Sequence, residues 1–98
     1  MSGPTICRTI TIINQRGLHA RAAAKFAQVS SEFDAEINVS RTGQTVSGRS
    51  IMGLMMLAAA MGCTVDVEVS GAEAEPAMQA ICDLVERKFD EEENATTQ

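Results

Sequence analysis

The chain has no tryptophan and no tyrosine, and only three phenylalanines among its 98 residues. A core must therefore be aliphatic, with methionine and alanine filling it. Lysine and arginine together number eight against thirteen acidic residues, for a net charge of −5. That balance gives no electrostatic reason to bind nucleic acid or an anionic membrane. The cysteines Cys7, Cys63 and Cys82 are odd in number and lack CxxC spacing. Neither a disulfide framework nor a zinc site is expected, and the thiols read as buried small hydrophobes. The longest apolar stretch, Ile51 to Met61, is interrupted by Gly53 and too short to span a bilayer. A basic region followed by an apolar one is missing from the N-terminus, so no signal peptide is expected and the compartment reads as cytoplasmic. Paired carboxylates, a Walker loop, a metal cluster and a nucleophile–base pair are all missing, which argues against an enzyme with a small substrate of its own.

What remains is one globular domain, with a hydrophobic share of 45%. The run Thr5 to Ile13 is β-branched and alternates, as a strand does. Asn14 to Gly17 is turn material. Ala20 to about Ser31 is rich in helix formers, with Ala22, Ala23, Phe26 and Ala27 along one face. Glu36 to Arg41 reads as a strand, joined through a Thr42-Gly43 turn to Gln44 to Ser47. Ser50 stands where a helix cap belongs, ahead of Ile51, Leu54, Met55, Ala58 and Met61 at helical spacing, and Gly62 ends that helix. Thr64 to Ser70 alternates valine with acidic residues. Pro76 fits an early helical position, and Met78, Ile81, Cys82, Val85 and Phe89 mark the buried face of a last helix. Asp90 to Gln98 reads as an acidic, disordered tail following a single domain over residues 1–89. The order is β-α-β-β-α-β-α. One-sided strands imply an α+β open-faced sandwich, a largely antiparallel four-stranded sheet with three helices on one face.

Chemistry concentrates in Gly17-Leu18-His19-Ala20-Arg21-Ala22-Ala23, which holds the only histidine. A histidine just ahead of a helix faces backbone N–H groups that the first turn leaves unpaired, and these with the helix dipole form an anion site. Imidazole is itself a nucleophile toward phosphorus. Gly17 permits close approach of the turn, and Arg21 is a natural phosphate partner, whereas Lys25 reads as a surface residue.

These residues resemble the active-site pattern G-[LI]-H-[AT]-R-P-[AS] of the histidine-containing phosphocarriers of the bacterial phosphotransferase system, the HPr/NPr family. The segment Ser50-Ile51-Met52-Gly53-Leu54-Met55 is similar to that family's regulatory serine region, and the likeness runs from about Thr5 to Phe89. The resemblance implies a carrier without a cofactor or metal. In it His19 takes a phosphoryl group on Nδ1 from enzyme I and passes it to an enzyme IIA component. Arg21 stabilises the phosphate, and Gly17, Ala20 and Ala22 belong to the binding loop. It also implies that Ser50 is phosphorylated by an HPr kinase/phosphorylase, and that the carrier is a stoichiometric component, expected to be monomeric, rather than an enzyme. One departure stands out. Ala22 occupies the position after the arginine where the family usually has proline.

Ser50 is a preferred N-cap in its own right. Phosphate there would put negative charge beside Ile51 and Met52, hindering a docking partner without unfolding the domain. The helix carries more apolar residues than one face can bury, so Met52 with Met55 or Met56 is expected to form an adaptable partner surface. Two other readings compete: a nitrogen-type regulatory carrier, and a binding module acting through Ser50 alone. Retention of His19 and Arg21 weighs against the second.

Overall fold

The computed structural model describes residues 5–91. Strands β1 (Thr5–Thr11), β2 (Glu36–Arg41), β3 (Gln44–Ser47) and β4 (Thr64–Ser70) form one sheet in the order β1-β4-β2-β3, with every pairing antiparallel. Helices α1 (Ala20–Ser30), α2 (Ile51–Met56) and α3 (Ala74–Glu86) complete the expected order and open-faced sandwich. Alternation decides which face they cover. Val65, Val67 and Val69 are buried and stand opposite Ile10, Arg8 and Ile6 on β1, while Val67 and Val69 also face Val39 and Ile37 on β2. Burying each such side chain contributes about 1.5–3 kcal/mol. On α1 the buried face carries Ala22, Ala23, Phe26 and Ala27, and the small, fully buried Ala22 and Ala23 let the helix lie close against the core.

Thr42 (φ 49°) and Gly43 (φ 83°) make the expected tight turn between β2 and β3. The outer face of the sheet is polar: Thr9 Oγ1 donates to Asp66 at 2.7 Å, and the Ser40 and Thr45 hydroxyls meet at 2.9 Å. Cys7 lies on that outer face opposite Glu68 and is exposed, while Cys63 and Cys82 are partly buried. The expectation of buried thiols is therefore corrected. At Cys7 the strand's period of two outweighs the apolarity of the residue.

Helix α2 is shorter than its periodicity suggests. It ends at Met56, and Ala58 adopts a left-handed conformation (φ 53°). Two interactions account for the stop. Arg41 Nη1 donates to the Leu57 carbonyl at 2.9 Å, and the Ala59 carbonyl leaves the helical path to accept from Leu18 N at 2.9 Å. Met61 consequently lies outside the helix and is exposed.

The C-terminal segment also departs from its pattern. Helix α3 ends at Glu86, and Lys88, Phe89 and Asp90 all take left-handed φ values of 55–58°. This reversal, not a continued helix, buries Phe89. Asp90 and Glu91, assigned from sequence to the tail, pack against the α1 region, and residues 92–98 lie outside the described residues.

Candidate functional site

His19 is the N-cap of α1. Its backbone is extended (φ −76°, ψ −179°), and its Nδ1 accepts from the Arg21 amide at 3.3 Å. Serine, threonine and asparagine usually fill this position because a side-chain acceptor satisfies one orphan N–H. Here the imidazole does so through a ring nitrogen that is also a nucleophile. The Ala23 amide is taken by the His19 carbonyl at 2.8 Å. Ala20 and Ala22 supply the other N–H groups of the opening turn, and the first turn carries no acidic side chain to compete with an anion.

The loop before the helix is held from two sides. On one, Leu18 N reaches the Ala59 carbonyl. Gly17 (φ 67°) packs so tightly there that a Cβ would stand 2.5 Å from the Ala59 oxygen. On the other side is Asn14, fully buried, whose Nδ2 donates to the Gly17 carbonyl at 2.8 Å and to Glu91 Oε1 at 2.7 Å. Glu91 Oε2 accepts from Arg16 N at 3.2 Å, and Glu91 Oε1 lies 3.7 Å from His19 Nε2. The two faces of the ring are thus distinguished: Nδ1 toward the helix N-terminus, Nε2 toward a carboxylate.

A cleft of about 430 Å³ opens over this arrangement, lined by Arg16, His19, Arg21, Lys25, Phe89, Asp90 and Glu91. Arg21 is exposed and takes part in no ion pair among the described residues. Lys25, read from sequence as a plain surface residue, lines the cleft and pairs with Asp90 at 3.5 Å. Arg87, hydrogen-bonded to Asp90 at 3.1 Å, holds that carboxyl below the usual aspartate range, and Lys25 adds to the effect. Asn14 and Glu91 were not identified from sequence. Asn14 looked like turn material, and Glu91 reaches the site only through the left-handed reversal.

A shallow groove of about 190 Å³, lined by Arg16, Leu18, His19 and Ala58 to Ala60, runs from the histidine to the end of α2. That helix presents Ile51, Met52, Met55 and Met56 to solvent, Met52 being 72% exposed. Ser50 caps its other end, its Oγ accepting from Gly53 N at 3.0 Å. The structure therefore places His19 and Arg21 in one cleft and sets Ser50 apart, at the far end of an apolar strip. Among the described residues no group of histidine, cysteine or acidic side chains is arranged to hold a metal, and no helix is long and apolar enough to cross a membrane.

Residues 6–87 match the family described as PTS HPr component phosphorylation site. The phosphocarrier protein HPr of Neisseria meningitidis is 49% identical over 86 residues, covering 88% of this chain and 97% of that one. The phosphocarrier protein NPr of Shewanella violacea is likewise 49% identical over 84 residues, covering 86% and 92%. Among solved structures, HPr from Thermoanaerobacter tengcongensis superposes with a TM-score of 0.84 at 42% identity, covering 89% of this chain and 98% of that one.

Proposed function

Because the chain belongs to the PTS HPr family of phosphocarrier proteins, we propose that His19 is its phosphoryl acceptor, charged by enzyme I and discharged to an enzyme IIA component. The observation that carries this reading is the orientation of the imidazole. Nδ1 points at the opening amides of α1, with Arg21 beside it. When the Nδ1 lone pair attacks phosphorus, the Arg21 N–H exchanges a ring nitrogen for a phosphoryl oxygen, and the amides of Ala20 and Ala22 are available to the others. The helix terminus contributes about 0.3–1 kcal/mol, or ~2 kcal/mol when partly buried. The Arg21 guanidinium adds a charge-assisted contact worth about 1.5–3 kcal/mol. Stabilisation on this scale suits a carrier, which must release the group as readily as it takes it.

We assign partner docking to Ile51, Met52, Met55 and Met56, the apolar side chains that α2 leaves exposed. Methionine adapts to partners of different shape. Phosphorylation of Ser50, which we assign to an HPr kinase/phosphorylase, would place charge at the head of this strip and slow transfer without melting α2. On this reading the protein works as a cytoplasmic monomer and needs no cofactor; His19, Arg21 and the opening amides of α1 all come from one chain.

Incubation with phosphoenolpyruvate, Mg²⁺ and a bacterial enzyme I tests the reading by intact mass. A single acid-labile phosphate, absent from His19→Ala, is the expected result; no transfer from any enzyme I would refute it. A second reading, a nitrogen-type regulatory carrier, draws on the equal identity to a protein named NPr. Faster charging by a nitrogen-type enzyme I than by a sugar-type one would favour it.

A further inference from the structure

We propose that Glu91 keeps the proton on His19 Nε2 through both halves of the transfer, as a positioning residue that works through the imidazole; this rests on His19 being the phosphoryl acceptor. Two hydrogen-bond donors and the His19 ring converge on this one carboxylate. Oε1 accepts from Asn14 Nδ2 at 2.7 Å, Oε2 accepts from Arg16 N at 3.2 Å, and His19 Nε2 lies 3.7 Å from Oε1. The carboxylate side chain is only 7% exposed. A position surrounded by donors demands acceptors on both oxygens and no N–H of its own, which glutamate provides and glutamine does not.

Nδ1 accepts the Arg21 N–H, so in the neutral ring Nδ1 carries the lone pair and Nε2 carries the proton. At 3.7 Å the Nε2–carboxylate contact is electrostatic rather than a hydrogen bond, and it gains strength when the ring becomes a cation. The other charged groups on this cleft are Arg16 from the loop, Arg21 and Lys25 from α1, and Asp90. Asp90 is engaged by Arg87 and Lys25, which leaves Glu91 as the carboxylate facing the ring.

The chemistry then balances without a proton transfer. The Nδ1 lone pair forms the N–P bond while the donor's bond to phosphorus breaks and its electron pair leaves with the donor. The ring becomes an imidazolium with its proton still on Nε2, offset by Glu91. In the onward step the N–P pair returns to Nδ1, and the leaving group is a neutral imidazole. Without that proton it would be an imidazolide anion, a far poorer leaving group.

The test uses the full chain with ¹⁵N-labelled histidine, as wild type, Glu91→Gln and Glu91→Asp, before and after charging. Ring ¹⁵N shifts report whether Nε2 carries a proton, and phosphoryl loss is timed across pH. Removing the carboxylate leaves the charged ring without its offsetting partner. The protonated phospho-ring in Glu91→Gln should therefore persist only to lower pH, and phosphoryl loss above neutral pH should slow by roughly tenfold or more. Glu91→Asp, which keeps the charge, should fall between the two. Unchanged Nε2 protonation and an unchanged pH profile in Glu91→Gln would overturn the proposal, and lower stability in urea with those signals unmoved would make Glu91 merely structural. Phosphate missing from His19 in the wild type would overturn the carrier reading as well, whereas phosphate present with Nε2 indifferent to Glu91 overturns this proposal alone.

Discussion

Gly17 and Ala59 touch backbone to backbone: a Cβ on Gly17 would lie 2.5 Å from the Ala59 carbonyl oxygen and 2.9 Å from Ala60 Cα. The same carbonyl accepts the Leu18 amide. The histidine loop is therefore seated on the chain leaving α2, and the abrupt end of that helix is what creates the seat. Since neither backbone can yield and Gly17 has φ 67°, Gly17→Ala combines a clash with left-handed strain. We expect a loss of about 1–3 kcal/mol in urea denaturation together with slower charging of His19. Wild-type stability and rate would show that the seat is not needed.

Ser50 separates capping from regulation. Ser50→Ala removes the acceptor for Gly53 N and should cost about 0.5–2 kcal/mol in thermal or urea unfolding, with charging of the folded protein little changed. Ser50→Asp keeps a cap acceptor, so stability should hold while transfer slows because of charge beside Ile51 and Met52. Equal transfer rates for Ser50→Asp and wild type would argue against control at this position.

Ala22 stands at the third position of α1, where its N–H falls among those the first turn leaves to a ligand. Ala22→Pro removes that donor while keeping a backbone compatible with a helix start. A neutral-to-charged hydrogen bond at stake here is worth about 1.5–3 kcal/mol at most. We therefore expect a shortened phosphohistidine lifetime with transfer retained. Identical lifetimes would mean that the Ala22 N–H does not reach the phosphate.

The Ser50 cap and the place of His19 just ahead of a helix were legible in the sequence because both signals are local: a turn ahead and a helix-forming run behind suffice, whereas the imidazole's own capping bond shows only in the structure. The strands were legible because β4 alternates valine with acid almost without exception. Glu91 was not, since it reaches the site through three consecutive left-handed residues, none of them glycine. The α3 periodicity passes straight through that reversal, because Phe89 follows Val85 by four residues and looks helical. Met61 misled for the same reason, having helical spacing but lying beyond a stop imposed by Arg41 and Leu18, residues distant in sequence. Non-local hydrogen bonds leave no periodic trace.

The clamp that Arg87 and Lys25 form on Asp90 at the rim of the cleft has an acid limit. Asp90 is held below its ordinary range chiefly by its hydrogen bond from Arg87, then by the charges of Arg87 and Lys25. A depressed carboxyl contributes stability that is present above its unfolded value and fades as pH falls through the folded one. The contribution should therefore be intact at neutral pH and lost only below the usual aspartate range. Acid titration by NMR should show the Asp90 carboxyl titrating late, and Arg87→Gln should move it upward. An Asp90 that titrates in the usual range in both proteins would contradict the clamp.

The most direct measurement is a ³¹P–¹⁵N correlation spectrum of the charged, ¹⁵N-histidine-labelled protein, which reports the ring nitrogen bearing phosphorus. Phosphorus coupled to Nδ1 of His19 is the expected result, because that nitrogen faces the opening amides of α1 while Nε2 faces Glu91. Phosphorus coupled to Nε2, or a phosphate with no coupling to His19, would contradict it.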